Sequence, residues 1–317
     1  MMHKIKKEIP MKITTRNFQI LSDNEAVWQL LISNYSPCFT RGMPAPFFEY
    51  ALTSSWFDAS LSYLNRLWLD DGEPVGFVYY ESPATNIFFA LLPGYECLAG
   101  EMVAYADRHM PGKPGEKELV FFPGQTALME AAKKLGYTLA YEYDDMLLNF
   151  AKTTLNRPLP EGYRFVEPDE VDPVRLGECT WKGFGHEDKG PFEGWDGEDP
   201  GTEWNPVKAY RGIISCMLAP PPHSTYEYEV MIADKTGEYV CYSGMCWVPE
   251  NKLAYMEPLC TVPKHRGKGL AEAALTRHYQ RLSALGAQYM TGGGDPFYRK
   301  IGYTETVHWM HWKKNVE

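Results

Sequence analysis

The chain has 317 residues, 44% of them apolar and 14% aromatic, with a formal charge of −10; this suits about two domains, each able to bury a core. The acidic balance argues against a nucleic-acid partner held by phosphate neutralisation, and seven cysteines in no Cys-x-x-Cys pair argue against a disulfide framework. No apolar region follows the basic residues of 1–7 and no run of about 18 apolar residues occurs, so the expectation is a soluble, reduced, cytoplasmic protein with no membrane partner.

In chain order, 11–20 reads as an opening strand. Asp23-Asn24 then caps a helix through Ile32, with Ala26, Val27, Leu30 and Leu31 apolar. The aromatic stretch 47–57 reads as a second helix. Strands at 61–69 and 75–81 flank Asp70-Asp71-Gly72-Glu73, a hairpin turn. A strand at 86–92, a helix from about 95 to 110, a strand at 119–122, a helix at 126–135 and an extended run at 137–150 follow. Residues 152–160, with two prolines and little apolar periodicity, read as a linker. The pattern then restarts with a strand at 163–166 and a helix from 173, followed by a long acidic, aromatic loop at 183–206. A helix at 207–218 stops at Pro220-Pro221-Pro222. Strands at 226–233, 238–248 and 252–262 follow, then a helix with Leu270, Ala271, Ala274, Leu275, Leu282 and Leu285 on one face. A short strand at 287–291, a helix near 295–300 and a strand at 303–313 close the chain.

The organising stretch runs from Val262 to Ala271, where the 252–262 strand feeds a basic, glycine-bearing turn that opens a helix. Backbone N–H groups converge in such a turn and the helix dipole adds positive potential. Gly267 and Gly269 let an anion approach the main chain, and Arg266 and Lys268 add charge. The natural ligand is a pyrophosphate. The spacing is neither a P-loop nor the three-glycine dinucleotide fingerprint.

Arg266, Gly269 and Ala271 resemble the Arg-x-x-Gly-x-Ala signature of the GNAT N-acetyltransferase superfamily. Phe297-Tyr298-Arg299-Lys300-Ile301-Gly302-Tyr303 resembles that family's closing Tyr-x-x-x-Gly-aromatic motif. The resemblance implies an α/β (α+β) protein of two tandem GNAT-like domains, each a mixed, largely antiparallel central sheet flanked by helices. The expected division is 1–151, a linker at 152–160, and 161–317. Acetyl-CoA is the implied co-substrate, with its pyrophosphate at Arg266, Gly267, Lys268, Gly269, Leu270 and Ala271. Pro258 interrupts strand pairing; the resemblance implies a splay there that admits the pantetheine arm, whose backbone partners would be Leu259, Cys260, Thr261 and Val262.

Transfer of acetyl to an amine needs a neutral amine and a proton for the departing thiolate. Glu257, on the organising strand, is the expected base, against the alternative of an exposed ion-pairing glutamate. Tyr298 is the expected acid, against a tyrosine packed on the sheet. Cys260 adjoins the thioester path, but no paired histidine accompanies it and a small core cysteine is the better reading. Asp295 reads equally as a helix cap or a ligand. His186, His223, His278, His308 and His311 lack metal-ligand spacing, so no metal is expected. The acceptor is a small-molecule or peptide amine, cationic if the acids of 183–206 (Glu187, Asp188, Glu193, Asp196, Glu198, Asp199 and Glu203) recruit it. Oligomeric state is unreadable. A non-catalytic acyl-CoA-binding or regulatory module, or an enzyme using a longer acyl-CoA, are the rival readings.

The first half looks like the same unit without a cofactor site. Setting Pro93 opposite Pro263 puts Glu96 at the position of Arg266, Ala99 at Gly269 and Glu101 at Ala271. Setting Gly136 opposite Gly302 puts Ala132 at the position of Tyr298. Carboxylates in that turn repel a pyrophosphate.

Overall fold

A computed structural model describes residues 11–55, 57–202, 204–294 and 296–315; Asp295, Glu203 and the basic N-terminus lie outside them. The first half contains β1 (Ile13–Asn17), α1 (Asn24–Asn34), α2 (Ala45–Thr53), β2 (Arg66–Asp70), β3 (Glu73–Tyr80), β4 (Asn86–Leu91), α3 (Ala99–His109), β5 (Glu116–Phe121), α4 (Thr126–Lys134) and β6 (Thr138–Asn149). The β2–β3 turn uses positive φ at Asp71 and Gly72, the twist a two-residue hairpin favours. Two details depart from the sequence expectation. Residues 59–64 form a 3₁₀ turn, with Asp58 capping Ser60 N–H, so the strand begins only at Arg66. Asp23 makes no cap bond; it is buried and takes two bonds from Arg16, at 2.5 and 2.7 Å, plus the Gln19 N–H. A buried carboxylate is better satisfied by a guanidinium fork than by a helix end.

The second half contains β7 (Tyr163–Val166), α5 (Pro173–Gly183), α6 (Pro206–Met217), β8 (Val230–Asp234), β9 (Tyr239–Ser243), β10 (Cys246–Val248), β11 (Leu253–Tyr255), β12 (Leu259–Thr261), α7 (Leu270–Ala284), β13 (Tyr289–Thr291), α8 (Pro296–Lys300) and β14 (Glu305–Asn315). Residues 226–228 are a 3₁₀ turn rather than the start of a strand. Helix α7 buries Leu270, Ala274, Leu275 and Leu282, each leucine contributing about 1.5–3 kcal/mol, while Leu285 ends up exposed at the C-cap.

One ten-stranded sheet runs in the order β1-β2-β3-β4-β5-β14-β6-β13-β11-β10, and a four-stranded sheet in the order β12-β9-β8-β7. The strands that end the two halves cross over. Strand β14 pairs with β5, Met310 facing Phe121, and with β6, Val307 facing Asp145. Strand β6 also pairs with β13, Leu148 facing Met290. Side chains stitch this seam: His308 Nδ1 lies 2.7 Å from Asp144 Oδ1, and His311 Nδ1 lies 2.6 Å from Glu118 Oε1. The two histidines flanked by tryptophans thus hold strands together.

Two expected strands, 238–248 and 252–262, are each broken, and the breaks meet. Strands β9 and β12 belong to the small sheet; β10 and β11 belong to the large one. Gly244 N–H donates to Pro258 O at 2.9 Å, and a Cβ on Gly244 would stand 2.2 Å from Glu257 O. Only glycine permits that approach. Past the end of β11, Thr291 Oγ1 accepts from Met256 N–H at 2.6 Å and donates to Met256 O at 3.0 Å, standing in for ladder bonds. Beyond Pro258 the chain leaves the large sheet, and β12 diverges from β13.

Candidate active site

The gap between β12 and β13 is a cavity of about 340 Å³, lined among others by Glu257, Leu259, Gly292, Gly293 and Tyr298. Its β12 wall is a free strand edge with a definite face. Val262 N–H donates to Val240 O, and Pro258 O accepts from Gly244, so the even-numbered residues 258, 260 and 262 turn their backbone groups toward β9. By alternation, those of Leu259 and Thr261 face away from β9. Of the four expected backbone partners for pantetheine, Leu259 and the Thr261 N–H face the gap, the Thr261 carbonyl accepting from Arg266 Nε, while Cys260 and Val262 are committed to the sheet. The Cys260 side chain is core: a Cβ on Gly183 of α5 would stand 2.7 Å from its Sγ.

The basic turn follows. Gly267 and Gly269 have φ of 74° and 85°, the left-handed backbone that turns successive N–H groups to one side. Arg266 does not point freely into solvent. Its Nε donates to Thr261 O at 3.0 Å and its Nη2 to Gly183 O at 2.7 Å, tying the turn to β12 and to the end of α5. Lys268 Nζ lies 3.2 Å from the Tyr163 hydroxyl, which also meets His265 Nδ1 at 2.9 Å. Leu270 is buried and Ala271 half-buried in the first turn of α7, so these two residues offer backbone rather than side chain. A residue that no motif in the sequence singles out joins this group. The exposed guanidinium of Arg157, from the 152–160 segment, packs on Gly269, where a Cβ would stand 2.7 Å from Nη2.

Tyr298 sits on α8 with its ring against Gly292, where a Cβ would stand 2.7 Å from Cδ1, and edge-on to Tyr303 at 5.1 Å between centroids. The glycines ahead of this helix therefore make room for the phenol ring. Tyr298 is buried but lines the cavity.

Glu257 occupies the junction of two cavities. A second one, of about 430 Å³, shares Phe184, Tyr255, Glu257 and Pro258 with the first. Its other walls come from both halves: Glu49 and Tyr50 on α2, Ile213 and Cys216 on α6, and Trp204 and Tyr242. Ser55 Oγ donates to Lys208 O at 2.5 Å where α2 meets α6. Glu257 is accessible at this junction, yet the protein around it raises its pKa above the usual carboxylate range. Burial is the main cause, a hydrogen bond from the Tyr255 hydroxyl pulls the other way, and Asp145 adds to the rise. Glu81 nearby is pushed up to about 7, by burial first and then by Glu257 despite a backbone bond from Ser82.

Loop 183–206 contributes Phe184, His186 and Trp204 to the wall, with His186 stacked on Trp204 at 5.0 Å. Among the described residues its acids do not line the cavity: Glu187, Asp188, Glu193, Asp196 and Glu198 are exposed, and Asp199 binds Gly201 N–H and Asn205. The carboxylates that do line it are Glu49, Glu229 and Glu257, none of them in that loop. Among the described residues, no group of three or more His, Cys, Asp or Glu is arranged to hold a metal ion, and no helix is long and apolar enough to cross a membrane.

In the first half the corresponding places are filled by the chain itself. Strands β4 and β5 pair at Asn86 and Ile87. Beyond them the Gln125 amide donates to Phe89 O at 2.7 Å and Arg41 O at 3.0 Å and accepts from Phe122 N–H, while Gly124 N–H donates to Thr40 O. The turn before α3 is closed by Glu96, both of whose carboxylate oxygens lie 3.0 Å from Gly94 N–H. Ala132 is buried in the core.

No protein-family profile and no curated protein matches the sequence. Solved structures do match in fold. A GCN5-related N-acetyltransferase from Sphaerobacter thermophilus aligns with 97% of each chain, at 14% identity and a TM-score of 0.54. A tandem GNAT protein from the clavulanic acid biosynthesis pathway aligns with 96% of this chain and 98% of its own, at 13% identity and a TM-score of 0.56. The chain has a GNAT fold along its whole length.

Proposed function

We propose that the chain is an acyl-CoA-dependent N-acyltransferase that moves an acetyl group directly to a primary amine, using only the site in its second half. The observation that carries this is the position of Glu257 on the wall between two cavities. One runs along the open edge of β12 to Tyr298; the other is aromatic and closed by α2 and α6. The first fits a thioester arm: a strand edge with outward backbone groups at Leu259 and an outward N–H at Thr261, leading to the N–H groups of residues 267–271. Acetyl-CoA, when bound, supplies an activated acyl carbon and a thiolate leaving group. The second cavity holds the amine.

Glu257 takes a proton from the incoming amine, directly or through water, as the C–N bond forms. The C–S bond breaks, and the Tyr298 hydroxyl gives its proton to the departing sulfur. Glu257 then loses its proton to solvent and Tyr298 regains one, so the site returns to its starting state. Holding both reactants in line makes a covalent enzyme intermediate unnecessary, in keeping with a Cys260 side chain turned into the core. The first half, with Gln125 and Glu96 occupying the places a cofactor would need, serves as a wall of the acceptor cavity.

Thiol release from acetyl-CoA, followed across a panel of primary amines, tests this. Turnover is expected with at least one amine, with one acetyl-CoA bound per chain by calorimetry. Tyr298→Phe keeps the ring and should lower kcat about 10²-fold with little change in acetyl-CoA affinity. A kcat within threefold of wild type would remove Tyr298 as the acid, and two equivalents bound would give the first half a site.

A further inference from the structure

The larger cavity has an acid at each end. Glu257 stands where it meets the β12–β13 gap. Glu229, just before β8, stands with Tyr242 where it meets a small pocket lined by Val166, Leu176 and Met217, which shares no lining residue with that gap. Glu49, the third carboxylate, is already engaged by the Asn24 amide at 2.9 Å and the His223 ring at 2.7 Å. Glu229 is not so well provided. One bond comes from the Tyr242 hydroxyl, and Oε2 is buried with no hydrogen-bond partner. Burial pushes its carboxyl up to about 8, with Glu227 adding to the rise and Tyr242 opposing it.

A buried carboxyl oxygen without a partner destabilises the fold unless something else satisfies it. The walls between the two acids are Tyr50, Ile213, Cys216 and Met245, with Trp181 and Trp204 nearby. Such a surface suits methylene groups and, through its ring faces, a cation. A monoamine reacting at Glu257 would leave Glu229 unsatisfied.

We propose that the acceptor is an elongated diamine, with its reacting nitrogen at Glu257 and a second, distal ammonium on the Glu229 carboxylate. This rests on the acyl-transfer reading for the role of Glu257, but the Glu229 end is a binding site in its own right. An ammonium against the cavity side of this carboxyl favours its ionised form, and a turn of the carboxyl brings Oε2 to the donor it lacks. Glu229 is thus a specificity residue that never touches the reacting atoms.

The test compares straight-chain α,ω-diamines of rising length with n-alkylamines and amino alcohols of matched length, by thiol release from acetyl-CoA. For wild type, kcat/KM for the best diamine should exceed that of both matched compounds at least about tenfold, the scale of one charge-assisted bond. In Glu229→Gln that ratio should collapse to within about threefold, through KM rather than kcat. Equal kcat/KM for diamine and alkylamine in wild type overturns the proposal without need of a variant, as does a ratio that survives Glu229→Gln. Calorimetry with the diamine alone separates the two ideas. Diamine binding that is lost in Glu229→Gln, with no amine acetylated, sustains the site and sinks the transfer reading. Acetylation of alkylamines with no diamine binding does the reverse.

Discussion

Glu257 shows how one residue can be tuned by neighbours from distant parts of the chain. Burial and the charge of Asp145, on β6, raise its pKa, while the Tyr255 hydroxyl on β11 restrains the rise. A general base works when deprotonated, so activity should climb as pH rises through that pKa. Because the pKa is raised, the acid limb of kcat/KM is expected above the ordinary carboxylate value of about 4.3. Glu257→Gln should abolish that limb and lower kcat about 10²-fold or more, as a kcat/KM profile from about pH 5 to 9 would show. A limb that persists in the variant would assign the titration to another group, with Glu81 the nearest alternative. Arg266 teaches the opposite lesson. Its sequence position suggests a phosphate ligand, yet two of its donors, Nε and Nη2, go to Thr261 O and Gly183 O, so it also holds the turn to β12 and α5.

At the scale of elements, the site exists because two strands break at the same level. The break at Pro258 is legible in the sequence, since proline cannot donate to a ladder. The break at Gly244 is not: a glycine inside an apolar run reads equally as a bulge or as nothing, and its reason is the carbonyl of Glu257, a contact between strands. Gly244→Ala therefore drives a Cβ toward an oxygen 2.2 Å away. It should cost about 1–3 kcal/mol of stability, as overpacking does, and lower kcat by displacing Glu257; thermal melts and steady-state kinetics read the two effects. If both stayed at wild-type values, the contact would not hold Glu257 in place. The same distinction separates what the sequence disclosed from what it hid. The glycine-bearing turn, Pro258 and the segment around Tyr298 are local patterns that a sequence shows directly. Arg157 over Gly269, the α2 and α6 walls of the larger cavity and the orphaned oxygen of Glu229 depend on separate segments meeting, and no periodicity records that. The acids of 183–206 show the same limit: composition gives a loop's charge but not which of its side chains face inward.

Across the whole molecule, the exchange of β6 and β14 decides how the halves relate. The internal repeat suggests two domains joined by a linker at 152–160, but the pairing runs straight through. Strand β14 lies between β5 and β6, and β6 lies between β14 and β13. Neither half closes its own sheet with its own last strand, and an unpaired edge in either would be a site for misassociation. The arrangement also has a consequence for chemistry. The larger cavity takes walls from α2 and from α6, so its width depends on the relative placement of the halves. A continuous sheet fixes that placement far more firmly than a flexible linker could. The connection itself should then be dispensable once the strands are paired. A protease site inserted at the exposed Glu161-Gly162 turn and cut after folding should leave two fragments that co-elute as one species on gel filtration and unfold in a single transition. Acetyl transfer should stay close to the uncut level, since no residue of the site lies at the cut. Two separately folded fragments eluting apart would mean that each half can satisfy its own edge, and the strand exchange would then not be what holds the cavity together.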